Sequence, residues 1–507
     1  MLTDLAGGFV VLFQPMTFLF LLGGFLLGLF FGAIPGLTAT LAIAILLPFT
    51  FGMEVTQALV MVMGIYMAGI YAGSITGITV NIPGAPSGVM TSYEGYAMMQ
   101  RGEGPRALGL SAFASLVGGL VGAVLLMFLA EPISRVALLF QTPDKFSLVL
   151  LAIVTVTIVS TGSLWKASMA MAIGLAISTV GIDPMLPVGR FDFGSYYMIE
   201  GITLLPAVIG LFAICELFVQ AATPSKLAFG DAPAAHRRLS PRDFVPSGAD
   251  LKAVGAVTYA KSSIIGVLIG MLPGGGASMA SFIAYAEAKR GSRRPEGFGK
   301  GSIEGLSASE AANNAMCGGA IVPLLTIGIP GDAVTAIIFG VFLIHGLVPG
   351  PGLLANNFDV VAPMFAALVV ASLLIFVSVL IFGPLYMRLA RINRGILYGV
   401  IAMVSVVGVY ASTYSMFQMW MALAIGAFAF GFRRFGYPLL PLLMGIILGP
   451  YFEEFLRRSL IVSEGSPLIF LTQPFSLLFL VMTAAFVWLL RVRPSRRAPV
   501  RRAPSQP

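Results

Sequence analysis

The chain has 507 residues, 58% of them hydrophobic and 10% charged, with a formal net charge of +8 and a mean hydropathy of +0.94. A soluble domain carries about 25% charged residues, so the composition excludes a large soluble domain and describes an all-α polytopic membrane protein embedded in the lipid bilayer. The positive charge gathers in short loops and in a tail from Arg491 to Arg502; the positive-inside rule places that tail in the cytoplasm, and no nucleic-acid partner is expected.

Apolar runs near 20 residues match the roughly 30 Å hydrocarbon core. The N-terminal MLTDLAGGFV has no basic n-region, so no cleavable signal peptide is expected. Residues 16–51 are apolar but interrupted at Pro35-Gly36, and the run 57–82 ends at Pro83-Gly84. The polar stretch SYEGYAMMQRGEGPR follows, then a Gly- and Ala-rich span over 107–130 and spans near 147–160, 164–182 and 198–222. Residues 223–261 are polar, contain proline and hold no lasting apolar period, which predicts a linker between two halves, with a plain cytoplasmic loop as its default role. The second half holds 262–286, the basic loop KRGSRRPEGFGKG, and 306–348 interrupted at Pro330-Gly331. Runs at 360–387, 396–412, 416–432, 437–452 and 467–490 complete roughly 12 membrane spans. Cys215 and Cys317 lie in apolar context and read as free buried thiols.

The two halves repeat. Gly28-x3-Gly32-x2-Pro35-Gly36 has the spacing of Gly266-x3-Gly270-x2-Pro273-Gly274, and each is followed further on by Ile-Pro-Gly, at Ile82-Pro83-Gly84 and Ile329-Pro330-Gly331. Matching broken segments in two halves are the best sequence pointer to a transporter site. Lys289, Arg290, Arg293, Arg294 and Lys300 lie between the breaks of the second half, whereas the loop near 51–56 has no Lys or Arg; past the second break Arg101 and Arg106 stand in the first half, and PGPGLLANNFD has none. If basic loops face the cytoplasm, the halves are inverted repeats. The expected domains are a first transport repeat over 16–145, connecting or scaffold spans over 146–222, the linker 223–261, a second transport repeat over 262–395, C-terminal spans over 396–490, and a basic disordered cytoplasmic tail over 491–507.

A Pro-Gly pair inside a span frees backbone N–H and C=O groups that lipid cannot satisfy, so they must face protein, water or a ligand. The half-helix after each break exposes N–H groups and a partial positive charge of about half a unit, which suits a carboxylate. Carbonyls at a half-helix C-terminus suit a coupling cation. The expected solute site therefore combines Pro35, Gly36, Pro83, Gly84, Pro273, Gly274, Pro330 and Gly331 with nearby polar side chains, Thr38, Ser74, Asn81, Ser278, Asn313 and Asn314. Any single Ser or Thr here serves equally well as a helix cap; the three amides on apolar segments favour a functional role. Thr326, Asp332 and Thr335 are candidates for cation coupling, with capping an equal reading of Asp332. Glu310 reads as a membrane-edge residue, His345 as a helix-end histidine, Glu216 and Lys166 as span-end residues, and Met61, Met63 and Met67 as packing.

The segments GLFFGAIPGLTAT, GSITGITVNIPGAPSGVMTSYEGYAMMQRGEGPRALG and PEGFGKGSIEGLSASEAANNAMCGGAIVPLLTIGIPGDAVTA resemble the large membrane subunit of the tripartite tricarboxylate transporter family, within a likeness running from about residue 16 to 490. In YEGY, Glu94 stands where the family pattern usually has Asp, a difference that bears on substrate. The resemblance implies a secondary transporter of the bacterial inner membrane, driven by a sodium or proton gradient and needing no other cofactor. It implies a small four-span membrane subunit and a periplasmic solute-binding protein that delivers a small organic carboxylate. It also implies two related halves with an elevator-like movement. Two other classes compete. An intramembrane enzyme is disfavoured, because the chain has two histidines and neither H-E-x-x-H nor G-x-S-x-G. No P-loop is present for ATP-driven pumping. An ion channel needs charged rings or carbonyl filters repeated by symmetry, which two dissimilar halves suit poorly.

Overall fold

The computed structural model describes residues 2–34, 37–160, 163–222, 239–387 and 394–492; Pro35-Gly36, the first part of the 223–261 linker and nearly all of the 491–507 tail lie outside them. The first half runs through α1 (Leu2–Leu12), α2 (Pro15–Gly32), α3 (Ala39–Thr50), α4 (Val55–Val80), α5 (Val89–Gln100) and α6 (Gly104–Ala137). Then come α7 (Thr142–Val159), α8 (Leu164–Ile177) and a loop in which β1 (Gly181–Ile182) and β2 (Gly189–Arg190) pair antiparallel. A π-helical turn, Ile209–Ile214, joins α9 (Leu204–Val208) to α10 (Cys215–Ala222). The second half holds α11 (Gly248–Val254), α12 (Ala256–Gly270), α13 (Gly276–Gly291), α14 (Ile303–Ile327), α15 (Ala333–Ile344), α16 (Pro351–Asn356) and α17 (Phe358–Tyr386). It ends with α18 (Arg394–Thr413), α19 (Met416–Arg434), α20 (Leu439–Val462), α21 (Ile469–Thr472) and α22 (Pro474–Val492).

Among the described residues, 8 helices are long and apolar enough to cross a membrane, or 9 if the bent pair Pro241–Val254 and Ala256–Gly270 counts as one span. That is fewer than the apolar runs suggest: α8 and the described parts of α18 and α22 are short apolar helices, and so are several helices beside the Pro-Gly breaks. The latter have 12 residues in α3 and in α15, 15 in α12 and 16 in α13. At about 1.5 Å rise per residue they reach roughly 18–24 Å, less than the hydrocarbon thickness of roughly 30 Å.

Glycine contacts show how these short helices run. A Cβ at Gly24, Gly28 or Gly32 of α2 would lie 2.1, 2.5 and 2.5 Å from the carbonyl oxygens of Met61, Ile65 and Gly69 on α4. The register advances together, so α2 and α4 point the same way. The chain then turns, with Ala39 at the start of α3 against Gly69, and α3 returns to the short loop that begins α4. In the second half, Gly266 faces the Ala312 carbonyl and Gly270 that of Met316, so α12 runs with α14. α13 comes back: Ser281 Oγ donates to the Ser309 carbonyl at 3.3 Å, and Tyr285 lies against Gly305. Both α2–α3 and α12–α13 therefore turn back on themselves, the second with Pro273-Gly274 at its turn. Small residues along each arm allow this close backbone approach, which apolar bulk alone does not drive in lipid.

α4 and α14 cross each other in opposite directions. Ser74 meets Glu310, Asn313 meets Ile70, Asn314 meets Met67 and Tyr66 meets Met316. Around this crossing, α6 packs on α14 and α17 packs on α4. A second group forms beside this bundle: α7, α8, α20 and α22 pack together, and the α9–α10 rod packs on α19. The groups touch through α3, which meets α18 and the π-helical turn, through the end of α15, and at Gly274, which faces Val156 of α7. In the loop after α8, Arg457 and the amides of Met185 and Leu186 hold the Asp183 carboxyl down to about 2.

The end of the predicted linker is folded. Phe244 is fully buried, with its backbone against Gly109 of α6 and its ring against Gly383 of α17. Burial of such a ring stabilises by roughly 2–3 kcal/mol. Arg106 donates to Asp250 of α11, which also caps its own helix with Ser247. One aromatic residue in a polar stretch leaves no periodic pattern, so composition alone reads this docked segment as loop.

Candidate functional site

The candidate site lies at the turns after α4, α12 and α14 and at the α4–α14 crossing between them. After α4, the chain leaves the helix at Asn81 and doubles back. Gly84 N–H donates to the Gly73 carbonyl at 3.0 Å, and a Cβ on Gly84 would lie 2.6 Å from the Gly32 carbonyl and 2.8 Å from Gly73 Cα. The second half does the same after α14. A Cβ on Gly331 would lie 2.6 Å from the Gly270 carbonyl and 2.7 Å from Ala320 Cα. Gly274 N–H donates to the Gly331 carbonyl at 2.8 Å, which ties one Pro-Gly tip directly to the other. Gly84 thus sits against the end of α2 at Gly32, and Pro330-Gly331 sits on Pro273-Gly274, while Pro35-Gly36 lies outside the described residues. The described Pro-Gly turns are each seated within their own half, and the crossing helices link one to the other.

The polar side chains fall into three groups. At the first tip, Thr38 caps α3 and accepts the Leu41 N–H at 3.2 Å. At the crossing, Ser74, Asn313 and Asn314 are fully buried. Asn313 Nδ2 donates to the Ile70 carbonyl at 3.4 Å and Asn314 Nδ2 to the Met67 carbonyl at 3.2 Å, while both Oδ1 atoms are without a partner among the described residues. At the second tip, Asp332 and Thr335 form a reciprocal capping box on α15, and Tyr66 of α4 donates to Asp332 Oδ2 at 2.9 Å. Thr326 bonds back to its own helix at Val322, 2.7 Å away. Ser278 is half-buried on the first turn of α13.

Three residues stand differently from the sequence reading. Asn81 is exposed and caps α4 in the left-handed region, with φ 57°. Gly328 holds the same place in the second half, with φ 74°. Asn follows Gly in its tolerance of this conformation, so the cap is a structural reason for an amide at this position. Glu310 is not at a membrane edge: it is fully buried, and its Oε1 accepts from Ser74 at 2.5 Å and from Thr91, while Oε2 accepts from Ser115 at 2.9 Å. Its spacing of three and four from Asn313 and Asn314 was the available signal, since that places all three on one helix face. Glu94 clasps a loop. It accepts backbone N–H groups of Gly299, Gly301 and Ser302 at 2.5, 2.8 and 2.7 Å and the Tyr285 hydroxyl at 2.6 Å. Arg101 adds a bond to the Lys300 carbonyl at 2.9 Å, so α5 of the first half is latched to the loop before α14.

A family model for the tripartite tricarboxylate transporter TctA family matches residues 18–444, a stretch that contains both hairpins, both tips and the crossing. The chain belongs to the TctA family. This is a transporter family, and the multiple apolar helices make the chain a multi-pass membrane protein. A similar protein from Agrobacterium vitis is 34% identical over 498 residues, covering 98% of this chain and 97% of its own; it is an uncharacterized 52.8 kDa protein of the TAR-I ttuC′ 3′ region. An uncharacterized protein of the TAR-II ttuC′ 3′ region of the same organism is 35% identical over 234 residues, 46% of this chain and 97% of its own. No solved structure matches the chain. In this TctA-family chain the described Pro-Gly turns lie at the ends of α4, α12 and α14, and Ser74, Glu310, Asn313 and Asn314 are buried at the crossing between α4 and α14.

Proposed function

We propose that the chain is the large membrane subunit of a binding-protein-dependent secondary transporter that takes up a small organic anion, of the di- or tricarboxylate class, in symport with sodium or protons. The observation that carries this reading is the pairing of re-entrant tips on antiparallel α4 and α14, with Gly274 bonded to Gly331 in one half and Gly84 seated on Gly32 in the other. Each tip is followed by a half-helix (α3, α5, α13 or α15) whose first N–H groups and positive dipole end favour a carboxylate without a buried Arg or Lys. Thr38, Ser74, Ser278, Asn313 and Asn314 supply polar side chains around the tips. Asp332, with Thr326 and Thr335, is the cation-coupling candidate of that scheme.

Antiparallel α4 and α14, each carrying the same glycine contacts, support the reading of the halves as inverted repeats. The limited contact between the two helix groups supports movement of the bundle, with its tips, against a scaffold of α7–α10 and α18–α22. The basic loop after α13 and the Arg-rich C-terminus face the cytoplasm of a bacterial inner membrane in this reading. A small four-span subunit and a periplasmic solute-binding protein complete the system.

Uptake of a carboxylate panel by the reconstituted three-component system in vesicles tests the proposal. Accumulation is expected under an inward sodium or proton gradient and not from ATP alone. Accumulation with both gradients collapsed would rule out secondary coupling.

A further inference from the structure

We infer that Glu310 is a proton-binding site, and that its proton, in place of a cation at Asp332, is the one coupled to solute movement. Its environment separates it from every other buried carboxylate of the bundle. The hydrogen bonds it accepts come from the hydroxyls of Ser74 on α4, Thr91 on α5 and Ser115 on α6. A hydroxyl both donates and accepts, so it can serve an ionised carboxylate as donor and a protonated one as acceptor. Glu94 is the contrast. Three backbone N–H groups hold it, and these can only donate. Asp332 accepts from the hydroxyls of Tyr66 and Thr335, but unlike Glu310 it also takes a backbone N–H, that of Thr335, at its helix cap.

The surroundings of Glu310 lack a balancing cation. The ionisable groups that face it are Tyr71 from α4 and, beyond that ring, Tyr386 from α17; Glu94 follows one turn after Thr91 on α5. Ser111 and Ser115 face it from α6, and no Lys, Arg or His is among its partners in the described residues. One turn along α14, the Oδ1 atoms of Asn313 and Asn314 are buried acceptors with nothing to accept. Beside the carboxylate the hydroxyls of Tyr71 and Ser111 are likewise without a partner among the described residues, so groups free to turn stand ready to accept from an added proton. A metal cation fits less well, because oxygen ligands at about 2.3–2.6 Å from an ion require these oxygens to spread, whereas Ser74 and Ser115 already contact the carboxylate at 2.5 and 2.9 Å.

The step is a simple protonation. A proton from water on one side bonds to a Glu310 carboxylate oxygen, and the new O–H donates to a neighbouring hydroxyl, which turns. The charge at the crossing goes from minus one to zero. On the other side the O–H bond breaks, the electron pair stays on the carboxylate, and the proton leaves to water. Glu310 touches α4, α5 and α6 of the first half from α14 of the second, so its charge state acts where the halves meet.

The coupling role rests on the transport reading above, but the protonation itself does not. The test is infrared difference spectroscopy of the full chain in lipid nanodiscs, in light and heavy water, as pH is lowered from about 9 to about 5. The expected result is a deuterium-sensitive carbonyl band of a buried carboxylic acid that is absent in Glu310→Gln and returns with a shifted midpoint in Glu310→Asp. No such band in the wild type, or an unchanged band in Glu310→Gln, overturns the site. In the reconstituted system, pH-driven accumulation of a carboxylate from the panel is expected to fall roughly tenfold or more in Glu310→Gln, with exchange retained. Equal pH-driven accumulation by the variant overturns the coupling role. If the band belongs to Glu310 and no carboxylate moves in the wild type, the transport reading fails and the proton site stands.

Discussion

Replacing Gly331 by alanine is expected to cut uptake roughly tenfold or more while leaving the protein in the membrane, and Gly84→Ala is expected to do the same. The added Cβ at Gly331 would sit 2.6 Å from the Gly270 carbonyl and 2.7 Å from Ala320 Cα. Both are backbone atoms that no rotamer change can move. The tip must withdraw, and the hydrogen bond from Gly274 to the Gly331 carbonyl lengthens with it. Overpacking of this kind costs about 1–3 kcal/mol, and about 1.4 kcal/mol already corresponds to tenfold in an equilibrium. Here the cost falls on the geometry of the tips. Uptake, normalised to the amount of protein in the membrane, is the readout. Gly7→Ala is the control, since a Cβ there meets nothing within 4 Å. Unaltered uptake in both tip variants would mean that the tips are not part of the transport path.

Gly24→Ala and Gly23→Ala, neighbours on one helix, are expected to behave in opposite ways. A Cβ at Gly24 would lie 2.1 Å from the Met61 carbonyl oxygen and 2.8 Å from its carbon, whereas at Gly23 it meets nothing within 4 Å. Pushing α2 off α4 disturbs the whole stripe through Gly28 and Gly32, so a loss of about 3 kcal/mol is expected, at the upper end of overpacking costs. Gly23→Ala only restricts a helical glycine and is expected to be neutral or to stabilise by up to about 1 kcal/mol. Thermal unfolding of the two variants in the same detergent separates the outcomes. Equal stability would contradict the close α2–α4 approach.

Some of this was legible in the residues. The equal spacing of Gly28, Gly32 and Pro35 with Gly266, Gly270 and Pro273 marks two equivalent helices, and both lay their glycines on the next long helix of their own half. The polar residues beside the second break of each half also lie in the bundle. What escaped has physical causes. Hydropathy along residues 16–51 is the same for a helix that continues across lipid and for one that turns back, so α2–α3 reads as a broken span. Glu310 acquires its setting from α4, α5 and α6, distant segments that local pattern cannot place beside it. Asn81 also has a structural reason to be there, since at a left-handed cap it takes the place of glycine; the cue was Gly328 at the matching position.

The central claim is that the halves lie upside down in the membrane, with each hairpin opening on its own side. Gly52 follows α3 and Gly291 ends α13; both are exposed, and a side chain at either meets nothing within 4 Å. The native thiols Cys215 and Cys317 are buried, which keeps the background of an impermeant maleimide low. In intact cells, Gly52→Cys is expected to label from outside, and Gly291→Cys only after the membrane is opened. Labelling of both from the same side would contradict the inverted arrangement.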